Sequence, residues 1–465
     1  MKKKASVLFA ILLGITFNFT SCTKNDEEEQ PTGVISTEYI VNDNTVTIID
    51  HGEGTGTKTL TADKTWILSK FVFVNKGQIL TIEAGTIIKG KPGQGENASA
   101  LIIARGAKII AEGTASKPII FTAEADDLNG SIAKTDKGLW GGIIILGAAK
   151  INTTPNKMNI EGIPTTEPRG EYGGNNDDDN SGIMKYISIR HGGSNIGADN
   201  EINGLTFGAV GRGTTIEHIE VFANNDDGYE WFGGTVHTKY LISAYCKDDA
   251  FDWDQGYRGK GQFWLAVQDP NDGDRMGELD GADDPEDGNP LGGGIVYNAT
   301  WVGRGIAAGK KVMTFRANGG GEFYNSIFVN QAKGIDIELK ESLTSTSSYN
   351  RFKNGQLKIE NNIFYDISDN TAIGIFKVKA KDLIDANDET TAQNELNIYI
   401  STANNSVNEN PGIIYPSEGI FNPIPSGNVS NNMASFPDDF ETVTYKGAFD
   451  PNNSNWAMGW TLLFN

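Results

Sequence analysis

The sequence predicts an all-β solenoid in which short strands stack coil upon coil, and three observations predict it. Glycine supplies 56 of the 465 residues and proline only 15, a balance that suits many tight turns rather than a linker or a collagen-like chain. Short runs rich in Ile and Val, each closed by Gly or Asn, recur along the chain, and convincing amphipathic helices are few. Finally, Asn225–Gly234 aligns without gaps on Lys247–Gly256 at an offset of 22 residues, and the segments before them, Thr215–Val221 and His237–Ser243, align at the same offset. A fixed period of this size is the mark of a solenoid.

Taken from the N-terminus, the first element is an export signal over residues 1–21. Lys2, Lys3 and Lys4 precede an apolar run from Ala5 to Phe19, and Thr20-Ser21 supply small residues before Cys22. The run is too short for a spanning helix. Cys22 sits where a lipoprotein cysteine is acylated, which anchors the chain to a membrane. Residues 22–45 read as an acidic polar tether containing Asp26-Glu27-Glu28-Glu29. With Cys22 lipidated, Cys246 has no partner for a disulfide and reads as a buried thiol.

Strands follow over 46–375. The succession "LTIEAGTIIKG", "ALIIARGAKIIAEGT", "KPIIFTA" and "GLWGGIIILG" is similar to the lead-in of right-handed parallel β-helices. Later strands at Val296, Phe323 and Glu360 each carry Asn298, Asn325 or Asn361 ahead of an apolar run; Asn tolerates left-handed turns and can ladder between coils. Residues 376–465 lose the rhythm and are expected to form an irregular C-terminal cap. The motifs "NNDDGYEWFGGTVHTKYL" and "DDAFDWDQGYRGKGQF", with the ending Trp456-Ala457-Met458-Gly459-Trp460, resemble a family of Bacteroidetes β-helix surface lipoproteins. That resemblance implies the fold and a cell-surface address on the outer membrane. It implies little about chemistry.

The net charge of −21 repels phosphate backbones and excludes nucleic acid as a natural partner. Chemistry is expected where carboxylates converge. Side chains alternate along a strand, so if Tyr229, Trp231, Phe251 and Trp253 face the core, then Glu230, Asp252 and Asp254 face outward. Stacking at ~4.8 Å then sets Glu230 over Asp252, a repulsion of roughly 3 kcal/mol at an effective dielectric of about 20. With Asp226, Asp227, Asp248 and Asp249 in the preceding turns, the cluster calls for a cation. Oxygen-only ligands favour Ca²⁺ over zinc; the competing reading is a solvated acidic edge.

The acidic stretch 269–287 begins like an EF-hand loop, but its glycine falls at position five, and a solvated loop is expected. His191, His51, His218 and His237 read as structural. Two function classes stay open. One is a non-catalytic, ligand-binding surface protein serving a TonB-dependent transporter or a glycan, with Tyr172, Tyr257, Arg258 and Trp264 touching ligand from exposed loops. The other is a calcium-dependent polysaccharide lyase or glycoside hydrolase of the pectin-degrading type, for which Arg258 and Lys260 are available bases.

Overall fold

The computed structural model describes residues 36–465 except 198–199, 283–284 and 382–384. The expected export signal, Cys22 and the expected tether as far as residue 35 lie outside the described residues. No helix among the described residues is long and apolar enough to cross a membrane.

The fold is the all-β, right-handed parallel β-helix that the sequence predicts. One face is a ten-stranded parallel sheet of β1 (Phe71–Val74), β2 (Ala100–Ile103), β3 (Ile143–Leu146), β4 (Leu205–Gly208), β5 (Tyr229–Phe232), β6 (Phe251–Asp254), β7 (Gly277–Asp280), β8 (Lys311–Arg316), β9 (Lys333–Lys340) and β10 (Phe376–Lys381). Each strand pairs with its counterpart one coil away. Two further parallel ladders complete the coil, and the long strands Gly182–Arg190, Thr215–Phe222 and His237–Ala244 belong to both.

Each long strand changes ladder at a residue with positive φ: Tyr186 (50°), His218 (57°) and Tyr240 (57°), followed one coil later by Phe263 (60°). Non-glycine residues enter this region only when neighbours compensate. Here the compensation is stacking, with ring centroids 4.2, 4.3 and 4.8 Å apart along the four residues. Further along, Asn298, Asn325 and Asn361 take the same place with φ of 54°, 49° and 60°. Their side-chain amides donate not to each other but to the carbonyls of Tyr445, Ala434 and Asn432. The neighbouring Asn362 does ladder between coils, its Oδ1 accepting the Ser326 N–H and its own N–H reaching Asn405 Oδ1.

Those asparagines hold a C-terminal tail that runs back along the solenoid. Its Phe449, Ala457 and Trp460 are buried on Phe222, Ile242, Phe263 and Leu265. The fully buried Glu220 accepts the N–H groups of Leu462 and Leu463. The end of the last coil is closed by α1 (Ala386–Ile400), which turns Ala392, Leu396 and Ile400 inward at a spacing of four. The region after 376 therefore holds a regular cap and a lateral strap as well as irregular chain.

An acidic pocket on the ten-stranded face

Strands β5, β6 and β7 place the candidate site. Tyr229, Trp231, Phe251 and Trp253 are fully buried, with Trp231 stacked 5.2 Å from Trp264 and Phe251 5.5 Å from Trp301. Alternation then sends the residues between them outward. Register sets Thr206, Glu230, Asp252, Glu278 and Thr314 side by side on successive coils. The aromatic interior holds the coils together beneath a line of like charges.

The preceding turns carry a second ladder. Asn203 Oδ1 accepts the Asp227 N–H, Asp227 Oδ1 accepts the Asp249 N–H at 2.8 Å, and Asp249 accepts the Arg275 N–H. In each Asp-Asp pair the second residue thus fixes the turn, while Asp226 and Asp248 lie at the mouth. The pocket, about 530 Å³, is lined by Asn203, both Asp-Asp pairs, Glu230 and Asp252, together with Glu161, Glu201, Asp272, Asp274 and Glu278. Lys247, Arg304 and Lys310 are the basic residues of its wall.

Arg275 pairs with Asp249 at 2.9 Å and with Glu278, so one end of the carboxylate row is neutralised. Asp272 and Asp274 are paired to Lys137 and Lys310. The other end has no such partner among the described residues. Among the described residues, carboxylate oxygens of Asp227, Glu230 and Asp252 lie within 4.8 Å of one another, as do those of Asp226, Asp227 and Asp248. Glu230 accepts from Asn203 Nδ2, whereas Asp252 Oδ1 is buried and accepts no hydrogen bond. Burial, and then the facing charges of Glu161 and Asp248, pushes the Asp226 carboxyl up to about 7. Burial first and like charges second hold Asp227, Glu230, Asp249 and Asp252 well above the usual carboxylate range.

Asp254 stands beyond the pocket. Two residues past Asp252 the strand has advanced by ~6.6 Å, and Asp254 lies in register with Phe232.

The expectation of exposed loop aromatics is corrected. Tyr172 and Tyr257 are 1% exposed and Trp264 0%: Tyr172 packs on Phe232 with its hydroxyl donating to Gln255 Oε1 at 2.6 Å, and the turn carrying Tyr257 and Trp264 folds inward over glycines. A Cβ on Gly261 would come within 2.3 Å of the Trp264 ring, and one on Gly259 within 2.2 Å of Tyr257 Oη. Arg258 is not free for ligand, since it pairs with Asp177 at 2.9 Å, and Lys260 pairs with Asp439; neither lines the pocket. The stretch 269–287 is not simply a solvated loop. It follows the strand Leu265–Val267 and itself contains β7, it lends Asp272, Asp274 and Glu278 to the pocket, and its Asp280 pairs with Arg316. Cys246 is a buried free thiol, and His191 is buried with Nδ1 2.7 Å from the Asp136 carbonyl.

Compared with known families, the chain matches the pectate-lyase-like β-helix domain over residues 52–408. The chain belongs to this family. No curated protein and no solved structure matches it. Within this pectate-lyase-like β-helix the pocket lies wholly inside the matched span, while the tail that covers Phe222, Ile242, Phe263 and Leu265 lies beyond it.

Proposed function

We propose that the acidic pocket binds a divalent cation, calcium in preference to zinc, and that the protein uses it to hold an extracellular carbohydrate ligand without cleaving it. The observation that carries this reading is the buried Asp252 Oδ1 with no hydrogen-bond donor, set between Asp227 and Glu230 within 4.8 Å. A buried carboxylate oxygen needs a partner, and a hard cation supplies one. The donor set contains carboxylates and no Cys or His, which suits calcium's preference for six to eight oxygens. Asp227, Glu230 and Asp252 would hold the ion, with Asp226 and Asp248 at the entrance. Asp249 and Glu278, already facing Arg275, would not.

The export signal and Cys22 support a lipid-anchored protein on the outer surface of the outer membrane, where a glycan or a TonB-dependent transporter is within reach. The resemblance to Bacteroidetes surface lipoproteins points the same way. The family description also admits a calcium-dependent lyase, and Arg304 favours it: the residue lines the pocket and its Nε is buried without a partner. Against it, Lys310 is tied to Asp274 at 3.1 Å, and a base tied to a carboxylate is poorly placed to remove a substrate proton. Calorimetric titration of the full chain with Ca²⁺ and with Zn²⁺, followed by a glycan array in Ca²⁺ and in EDTA, tests the reading. Glycan binding that needs Ca²⁺, with no new unsaturated product absorbing in the ultraviolet, is expected. Absence of Ca²⁺ binding overturns it, and unsaturated product would establish the lyase.

A further inference from the structure

The line of outward residues does not end at Glu278. Register carries it from Glu278 to Thr314 on β8, to Asp336 on β9 and to Lys377 on β10. Along these four steps from Asp252, a distance of ~19 Å, the face changes from acidic to basic. A second cavity of about 620 Å³ opens there, lined by Thr314, Lys333, Lys377 and Lys379 among others. Its two carboxylates are already neutralised, Asp336 by Lys311 at 2.7 Å and Glu338 by Lys381 at 3.4 Å. Arg316 is taken up by Glu278 and Asp280. Lys333, Lys377 and Lys379 make no ion pair among the described residues, so the cavity has an uncompensated positive charge inside a protein of net charge −21.

A second, independent observation points to a ligand. Thr314 is 6% exposed, and its Oγ1 is buried with no hydrogen-bond partner. Met313 and Phe315 on either side belong to the core, so alternation turns the Thr314 hydroxyl to the cavity side. A buried hydroxyl left without a partner is costly, and here it sits in the wall of a cavity ringed by free ammonium groups. An oxyanion would accept from both.

We infer that strands β8–β10 form an anion-binding subsite for a sulfate or phosphate group, held by Lys333, Lys377 and Lys379 and by the Thr314 hydroxyl. Lysines act as point charges toward a multiply charged tetrahedral anion, where a single planar carboxylate would instead be met by a forked guanidinium. The subsite works without the cation pocket. An extended ligand reaching from one to the other would meet a metal at one end and ammonium groups at the other.

The test uses the full chain in EDTA at low ionic strength, with fluorescent dextran sulfate and unsulfated dextran of equal length as probes. Dextran sulfate should bind and unsulfated dextran should not. Changing Lys333→Gln, Lys377→Gln and Lys379→Gln together should weaken binding about tenfold or more, and Thr314→Val about threefold. These are surface changes or a near-isosteric one, so circular dichroism should be unaltered. Displacement of the probe by millimolar inorganic phosphate would assign the subsite to a small free anion, and retention of the polymer would assign it to a sulfated chain; both support an oxyanion site. Unchanged dextran sulfate affinity in the triple-lysine variant overturns the inference. So does loss of that affinity in EDTA on Asp248→Asn with Asp252→Asn, which would place the polymer at the acidic pocket. Failure of calcium binding alone leaves it standing.

Discussion

The ladder of Tyr186, His218, Tyr240 and Phe263 and the ladder of Glu230, Asp252 and Glu278 use one device, a side chain repeated in register on successive coils. They differ in what repetition does to the energy. Stacked rings at 4.2 to 4.8 Å attract, and the tail's Trp456 and Trp460 close over them edge-on. Stacked carboxylates repel, and among the described residues no tail closes over them; they line the acidic pocket. The coils nonetheless hold both, since Trp231, Phe251 and Trp253 anchor the charged strands from inside. The covered row and the row that faces a pocket therefore call for different measurements, stability for the first and cation binding for the second.

The sharpest way to break the covered ladder is Trp460→Ala. Trp460 is fully buried and packs its edge on Tyr186 and His218, so truncation should cost about 3–5 kcal/mol in urea unfolding. The open ladder should respond to metal instead. A hundredfold excess of Ca²⁺ over its Kd should add about 2.7 kcal/mol, visible as a rise in Tm that EDTA reverses. Asp248→Asn with Asp252→Asn should abolish most of that rise and leave the metal-free protein slightly more stable, because two repulsions are relieved.

A third effect is smaller and tied to pH. Burial between tyrosines lowers His218 from 6.5 to about 4, with Glu217, Glu441 and Lys185 as its charged neighbours. Between those values the unfolded chain holds more protons than the folded one. The stability that neutral His218 contributes is therefore complete above pH 6.5 and lost as pH falls toward 4. Discounted for the ring's partial exposure, this amounts to about 1–2 kcal/mol. Urea midpoints at pH 7 and pH 5 should differ more for the native chain than for His218→Phe. The smallest expected effect is a gain. Thr314→Val removes a buried, unpartnered hydroxyl and should stabilise the chain by about 1 kcal/mol in the same assay.

The strand alternation that turns Glu230 and Asp252 outward was readable because no residue is inserted between their coils. The pairing of Glu230 with Asp252 follows directly from the offset of 22. Glu278 was not readable as the next rung, since the loop at 269–275 lengthens that coil and breaks the alignment. Glu161 and Glu201 come from the long excursion between β3 and β4, where no repeat assigns a position. Tyr257 and Trp264 were misplaced for a different reason. A turn aromatic carries no periodicity, and only Gly259 and Gly261 hinted that the interior had room for it. The lysine-rich end of the face escaped notice because Lys311, Lys333 and Lys377 are far apart in sequence and meet only through coil register.

The returning tail also bears on how the chain reaches this state. Solenoid coils touch mainly their neighbours, so they can assemble one after another as the chain emerges. The last residues instead dock on much earlier ones: Lys134 Nζ donates to the carbonyls of Leu462 and Asn465, and Glu220 accepts from Leu462 and Leu463. Contacts of such sequence separation form late and slowly. The docked tail thus ties coils around Glu220 to a segment more than 200 residues later in the chain, so that those middle coils should open together with it.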